Sequence, residues 1–317
     1  MSTVNKNLLT RRQFTARCAA LSVSLPAFSR AFAAAEPPSK PTAPTVRFPD
    51  GTAVPAVGQG SWHLGQGKHP PAVEEDSMRT GLSLGMTLID TSGNYGDGRS
   101  EQFIGRALAG RRDSVYLVSK VEAEQVDGDG IARACDASLA RLGTDHLDLY
   151  LLHFPVPTAK LAAVVVAFEK LRAAGKIRTW GVSNFDQRLM EDLFRVPDGT
   201  RCATNQVQYS LRNRRIERDV LPWCTQHKMP VMAYSPLGGG NKLVIKDKTL
   251  AQLGAAHGCS AAAVALAWVI RSGNVIAIPE SGSPAHTREN AEALSITLTA
   301  QELQTLAAAY PGPSGAS

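Results

Sequence analysis

Four side chains able to hold or move a proton follow three short apolar runs. Asp90 closes the run MTLID (86–90) and Tyr95 comes shortly after it; Lys120 closes VYLVSK (115–120); His153 closes LDLYLLH (147–153). A free phenol titrates near ~10 and is a poor acid at neutral pH. A neighbouring ammonium favours the phenolate and makes the phenol a better donor. Lys120 can supply that charge, Asp90 can keep Lys120 protonated through an ion pair, and His153 can share the position of a substrate oxygen. Any one of the four could be a cap, a surface aromatic, a solvated strand end or a core histidine. Together, at the ends of neighbouring runs, they predict a site that delivers a proton to oxygen, and no metal-ligand spacing accompanies them.

A second set of residues suits an anion and a flat heterocycle. Ser235-Pro236-Leu237-Gly238-Gly239-Gly240 follows one apolar run, and Pro279-Glu280-Ser281-Gly282-Ser283 follows another and leads into a helix start. Glycines let backbone N–H groups approach an anion, and a helix N-terminus favours negative charge. Between the two sets lie Ser183, Asn184 and Gln206, which can hydrogen-bond a carboxamide, and Tyr234, whose ring can stack on a heterocycle. Their placement fits a nicotinamide nucleotide laid between a phosphate site and an acid–base site.

These residues need a scaffold of parallel strands. Near-continuous apolar runs are how strands buried on both faces read. Eight occur: Val57–Trp62, Met86–Thr91, Val115–Val121, Leu147–His153, Ile177–Asn184, Thr204–Tyr209, Pro230–Leu237 and Val275–Pro279. Helical patterns alternate with them at Val73–Leu84, Ser100–Ala109, Ile131–Leu142, Leu161–Ala174, Gln187–Arg195, Ile216–His227, Lys248–His257 and Ala261–Arg271. Asp186, Ser260 and Ser283-Pro284 mark helix starts, and Thr299-x-x-Glu302 is a capping box. The pattern predicts an α/β fold of the (β/α)8 TIM-barrel type, with residues 48–54 as an N-terminal hairpin that closes the barrel floor around Asp50-Gly51. An open doubly wound sheet would want a G-x-G-x-x-G turn after the first strand, where none stands.

Residues 1–35 read as a twin-arginine signal peptide: Thr10-Arg11-Arg12-Gln13-Phe14, an apolar stretch too short to span a bilayer, then Ala31-Phe32-Ala33. Residues 36–45 are a Pro-rich linker, 46–310 the barrel, and 311–317 a short tail. The formal charge of +6 falls to +1 without the first 35 residues, which carry five cations and no acid. A near-neutral body speaks against nucleic acid as a partner. The expectation is periplasmic localisation after export in the folded state, transient contact with the twin-arginine machinery, and no stable membrane anchor. The cysteines show no C-x-x-C or zinc spacing.

The strings LIDTSGNYGDGRSEQFIGRAL, LVSKV, LDLYLLHFP, GKIRTWGVSNF, NQVQYS, VMAYSPLG and IPESGSPAHTREN, in this order, resemble the aldo-keto reductase family over nearly the whole mature chain. The resemblance implies reduction of aldehydes and ketones by NAD(P)H. Tyr95 would be the proton donor, Asp90 and Lys120 would tune it, and His153 would orient the carbonyl. Ser183, Asn184 and Gln206 would hold the carboxamide and Tyr234 would stack on the nicotinamide. Ser235, Leu237, Gly239 and Ser281 would line the pyrophosphate, with Glu289 and Asn290 at the adenine. The family usually has lysine where Glu280 stands and often arginine at His286. A carboxylate repels a 2′-phosphate, so NADPH and NADH stay about equally open. Phe154 replaces the usual tryptophan and, with Trp62, should wall a pocket for an apolar or aromatic carbonyl. Short loops predict a wide mouth and broad substrate preference. Two other readings remain: a nucleotide-sensing subunit of the same fold, and a different barrel enzyme such as an isomerase using Lys120 as base.

Overall fold

The computed structural model describes residues 43–239 and 244–313. The predicted leader, most of the linker, Gly240 and the last four residues of the tail lie outside them. The chain divides into the units Met1–Lys40 and Pro41–Ser317, and every described residue belongs to the second.

Strands β1 (Thr45–Arg47) and β2 (Ala53–Pro55) pair antiparallel. Asp50 shapes the turn by accepting a hydrogen bond from the Thr52 N–H at 2.9 Å. Val46 and Val54 are cross-strand partners and both are buried. Phe48 stacks on Tyr116, with ring centroids 5.2 Å apart. Tyr116 is the first residue of a barrel strand, so the hairpin sits at the N-terminal end of the barrel, as its sequence predicted.

The barrel strands are β3 (Gln59–Gly60), β4 (Leu88–Asp90), β5 (Tyr116–Val121), β6 (Leu147–Leu152), β7 (Ile177–Ser183), β8 (Asn205–Gln208), β9 (Val231–Tyr234) and β10 (Val275–Ala277). Each pairs in parallel with the next in sequence. The seam between last and first is closed by hydrogen bonds from the Gly58 N–H to the Ala277 carbonyl, the Ala277 N–H to Ala56, and the Gly60 N–H to Pro279, at 2.8, 2.8 and 2.9 Å. A β-carbon on Gly60 would stand 2.9 Å from the Ile278 carbonyl oxygen, which explains a glycine at this seam. All six residues of β6 are buried, as its unbroken apolar run requires.

The strands are shorter than the apolar runs that announced them, because the runs continue into the loops that carry the polar ends. Helices fall where the periodicity placed them, with one break. The pattern over 216–227 splits into a helical turn, Arg215–Arg218, and a helix, Val220–Gln226. Asp219 leaves helical geometry (φ −141, ψ −66) and accepts from the Val220 N–H, while Pro222 in the first turn has no N–H with which to extend the ladder backwards. Asp186 and Ser260 cap their helices as expected, and Thr299 and Glu302 form the capping box. Ser283 does not cap. Its N–H donates instead to the Ser281 hydroxyl, which in turn donates to the Ser283 carbonyl.

Cys135, Cys202 and Cys224 are buried and unbridged, and burial pushes each thiol up to about 12, so they pack as small apolar groups. Among the described residues no single helix is long and apolar enough to cross a membrane.

Candidate active site

A cavity of about 560 Å³ opens at the C-terminal end of the barrel strands, within the range of small-molecule sites. Asp90, Tyr95 and His153 line it together with Ser183, Asn184, Gln206 and Tyr234. Lys120 lies directly behind Tyr95.

The acid–base cluster assembles because parallel pairing aligns the strand ends. Asp90 pairs with Val118, and Lys120 with Leu151, so the functional ends of β4, β5 and β6 emerge on one rim. Tyr95 is turned toward them by a left-handed run, Gly96 (φ 59), Asp97 (φ 57) and Gly98 (φ 83), which glycine makes accessible. A β-carbon at Gly98 would come within 2.6 Å of the Arg141 side chain.

Lys120 Nζ donates to Asp90 Oδ2 at 2.8 Å, to the Thr91 carbonyl at 2.8 Å and to Tyr95 Oη at 3.1 Å. Its three ammonium protons are thereby all engaged, and the buried charge is paired. Burial alone would lower the Lys120 ammonium. Asp90 and then Tyr95 outweigh it and hold the group above its ordinary value. For Tyr95 the balance corrects the sequence expectation. Burial pushes its phenol up and prevails over the opposing pull of Lys120, while Asp90 adds to the rise. At neutral pH Tyr95 therefore keeps its proton, as a donor must, and the lysine limits how far the burial raises it.

Asp90 uses its second oxygen, Oδ1, to accept from Gln206 Nε2 at 2.7 Å. The expected carboxamide arc is thus fastened to the acid–base cluster. Ser183 Oγ donates to the Gln206 carbonyl at 2.8 Å. Asn184 Nδ2 donates to the His153 carbonyl at 3.1 Å and to Ser183 Oγ at 3.0 Å, and Asn184 Oδ1 accepts from Tyr234 Oη at 2.9 Å. The last contact pins the Tyr234 ring at the cavity wall. Asn184 and Ser235 hold positive φ, 63° and 48°, without being glycine. Such backbone persists where the surroundings over-determine it, commonly at binding sites.

Ser235, Leu237, Gly239 and Glu280 also line the cavity. Ser281, Glu289 and Asn290, expected at the cofactor, do not line the cavity; they stand on the following loop and the helix Pro284–Glu292, where Asn290 is buried. No side chain caps that helix, so the unpaired N–H groups that follow Pro284 in its first turn fit a phosphate. The two halves together fit a reduced nicotinamide dinucleotide. Glu280 does not swing away from this site. Its carboxylate accepts from the His63 N–H at 2.9 Å and contacts His63 Nδ1 at 3.0 Å. Trp62 and Phe154 flank the mouth at 59% and 46% exposure; each stacks one face on a neighbouring histidine, His63 and His153, and the exposed remainder suits an apolar substrate.

Several site residues carried no signal of their own. Ser61, His63 and Asn94 also line the cavity. Glu122 reaches His153 Nδ1 at 2.5 Å, and Ser92 lies 3.4 Å from the same nitrogen. Asn94 could have been suspected from its place beside Tyr95; the others sit in loops whose partners are distant in sequence.

The Aldo/keto reductase family model matches residues 56–311. The methylglyoxal reductase YeaE of Escherichia coli is 47% identical over 273 residues, 85% of this chain and 96% of that protein. A crystal structure of an aldo-keto reductase from Klebsiella pneumoniae in complex with NADPH superimposes with a TM-score of 0.82 at 45% identity, covering 87% of this chain and 98% of that one. A second structure of an aldo/keto reductase from that organism, with NADP and acetate, gives 0.81 at 45% identity over 86% and 97%. With a barrel of this topology and an aspartate, a tyrosine, a lysine and a histidine gathered at its mouth, the chain belongs to the aldo/keto reductase family.

Proposed function

We propose that the chain reduces small aldehydes and ketones, reactive 2-oxoaldehydes among them, with Tyr95 as the proton donor. The observation that carries the reading is the contact of Lys120 Nζ with Tyr95 Oη at 3.1 Å on the wall of a cavity that two exposed aromatics flank. The 2-oxoaldehyde class is supported by the likeness to YeaE. The carboxamide arc and the 235–239 loop would hold a reduced nicotinamide dinucleotide, which would supply the hydride to the carbonyl carbon. Ser183, Asn184 and Gln206 offer polar groups to its carboxamide, and Tyr234, fixed through Asn184, offers a ring face. Tyr95 and His153 polarise the carbonyl oxygen and stabilise the charge that develops there, after which Tyr95 releases its proton to it. Trp62 and Phe154 keep the carbonyl close to the donor. Nicotinamide absorbance with methylglyoxal and with an aromatic aldehyde tests the reading. Turnover of both is expected, and turnover of neither in protein that binds the nucleotide would favour a sensing subunit instead.

NADPH and NADH are separated by Glu280. The Klebsiella relatives carry NADP or NADPH, which favours NADPH, while a carboxylate fixed at the cavity rim by His63 opposes a 2′-phosphate. Glu280→Lys should raise the ratio of kcat/KM for NADPH over NADH about tenfold or more, since a hydrogen bond to a charged group contributes about 1.5–3 kcal/mol. An unchanged ratio would show that Glu280 does not face the 2′ position.

Export is part of the proposal, supported by the arginine pair and the small-residue cleavage pattern in the first 35 residues. When the full chain is expressed, fractionation should find it in the periplasm without its first ~35 residues, and the double change Arg11→Lys, Arg12→Lys should retain it in the cytoplasm. Equal distribution of both forms would remove the export reading and leave the reductase untouched.

A further inference from the structure

The contact between Glu122 and His153 decides which ring nitrogen carries a proton. Glu122 Oε1 lies 2.5 Å from His153 Nδ1. Ser92, fully buried, donates its hydroxyl proton to the same carboxylate oxygen at 3.3 Å, so its oxygen faces Nδ1 as an acceptor, at 3.4 Å. A carboxylate accepts and does not donate. Both partners of Nδ1 therefore require a proton on it. Nε2 has no protein partner among the described residues, and His153 lines the cavity. A neutral ring held this way presents a bare lone pair at Nε2, which accepts a hydrogen bond and gives none. A carbonyl oxygen needs a donor.

We infer that Glu122 is a positioning residue that fixes His153 as the Nδ1–H tautomer, so that His153 assists carbonyl reduction only as the doubly protonated imidazolium. The neutral ring, with its Nε2 lone pair, suits the reverse reaction, in which an alcohol presents its O–H. The other groups facing His153 do not supply the missing proton. Phe154 stacks on the ring with centroids 4.7 Å apart, Tyr95 meets it edge-on at 5.8 Å, and the Lys120–Asp90 pair is engaged behind Tyr95. Asn184 contacts only the backbone carbonyl of His153.

Two measurements test this, and the first needs no turnover, so it is separable from the reductase reading on which the kinetic one rests. Ring 15N–1H spectra of the wild-type chain, with His153→Gln used only to assign the signal, should show the neutral ring protonated at Nδ1. A proton on Nε2 would overturn the inference. The second is the pH profile of kcat/KM for reduction. In the wild type it should fall about tenfold per pH unit once the ring loses its second proton. In Glu122→Gln the amide can donate to Nδ1 and leave the proton on Nε2, so the profile should stay within about twofold across the same range. Cofactor binding and melting temperature confirm that the variant is folded. Profiles that share one limb and differ only by a constant factor, or a wild-type profile without the limb, would leave Glu122 no part in the protonation of His153.

Discussion

Tyr95→Phe is expected to lower kcat for aldehyde reduction by about 10²–10⁴-fold, the span attributed to a positioned general acid, and to leave nucleotide affinity within about twofold. The phenyl ring keeps the shape of the wall and removes only the hydroxyl. That hydroxyl accepts from Lys120 Nζ at 3.1 Å, and Tyr95 lines the cavity. Because burial holds the phenol above its ordinary value, reduction limited by Tyr95 alone would not decline until strongly alkaline pH. A decline at lower pH then belongs to another group. Rate measurements beside fluorescence titration of the nucleotide check the prediction. A variant that turns over at the wild-type rate would remove Tyr95 from the chemistry.

Lys120→Met is expected to damage both rate and stability. Lys120 is buried and its charge meets Asp90 at 2.8 Å. Removing it leaves the Asp90 carboxylate inside the barrel with Gln206 as its remaining side-chain donor. Breaking a buried pair on one side costs about 3–5 kcal/mol, which for a domain of this size lowers Tm on the order of 10 °C. The double variant Asp90→Asn, Lys120→Met should recover much of that loss, because no unpaired charge stays buried. Its turnover should remain as low as that of the single variant, since the ammonium at Tyr95 is still missing. Thermal melts of the three proteins check this, and recovery of turnover in the double variant would show that the lysine serves packing alone.

The residues legible in the sequence are those whose position is set by a single strand. Asp90, Lys120 and His153 each end an apolar run, and parallel pairing leaves little choice about where such ends emerge. The hairpin turn at Asp50-Gly51 and the capping box at 299–302 are equally local, although the strands of the hairpin, Thr45–Arg47 and Ala53–Pro55, reach outside the expected 48–54. Contacts made across the mouth are a different matter. Glu122 stands two residues past Lys120 and reads as a solvated acid; its partner is 31 residues later. Glu280 meets His63 217 residues away, and no periodicity encodes that distance. Gln206 was expected to serve a ligand, yet its amide also completes the Asp90 shell. The break at Asp219 had a local signal in Pro222 that the apolar spacing of 216–227 masked. The direction of the Tyr95 shift could not be foreseen, because it depends on how deeply the ring is buried as well as on its charged neighbour.

The central claim is that the Tyr95 hydroxyl, supported by Lys120, delivers the proton to the carbonyl oxygen. A crystal structure of the chain with oxidised cofactor and an unreactive carbonyl analogue tests it most directly. The oxygen of the analogue should lie within ~3 Å of Tyr95 Oη, with the Lys120–Tyr95 contact retained. An analogue whose oxygen points away from Tyr95, or a phenol drawn off the lysine once the site is filled, would contradict it.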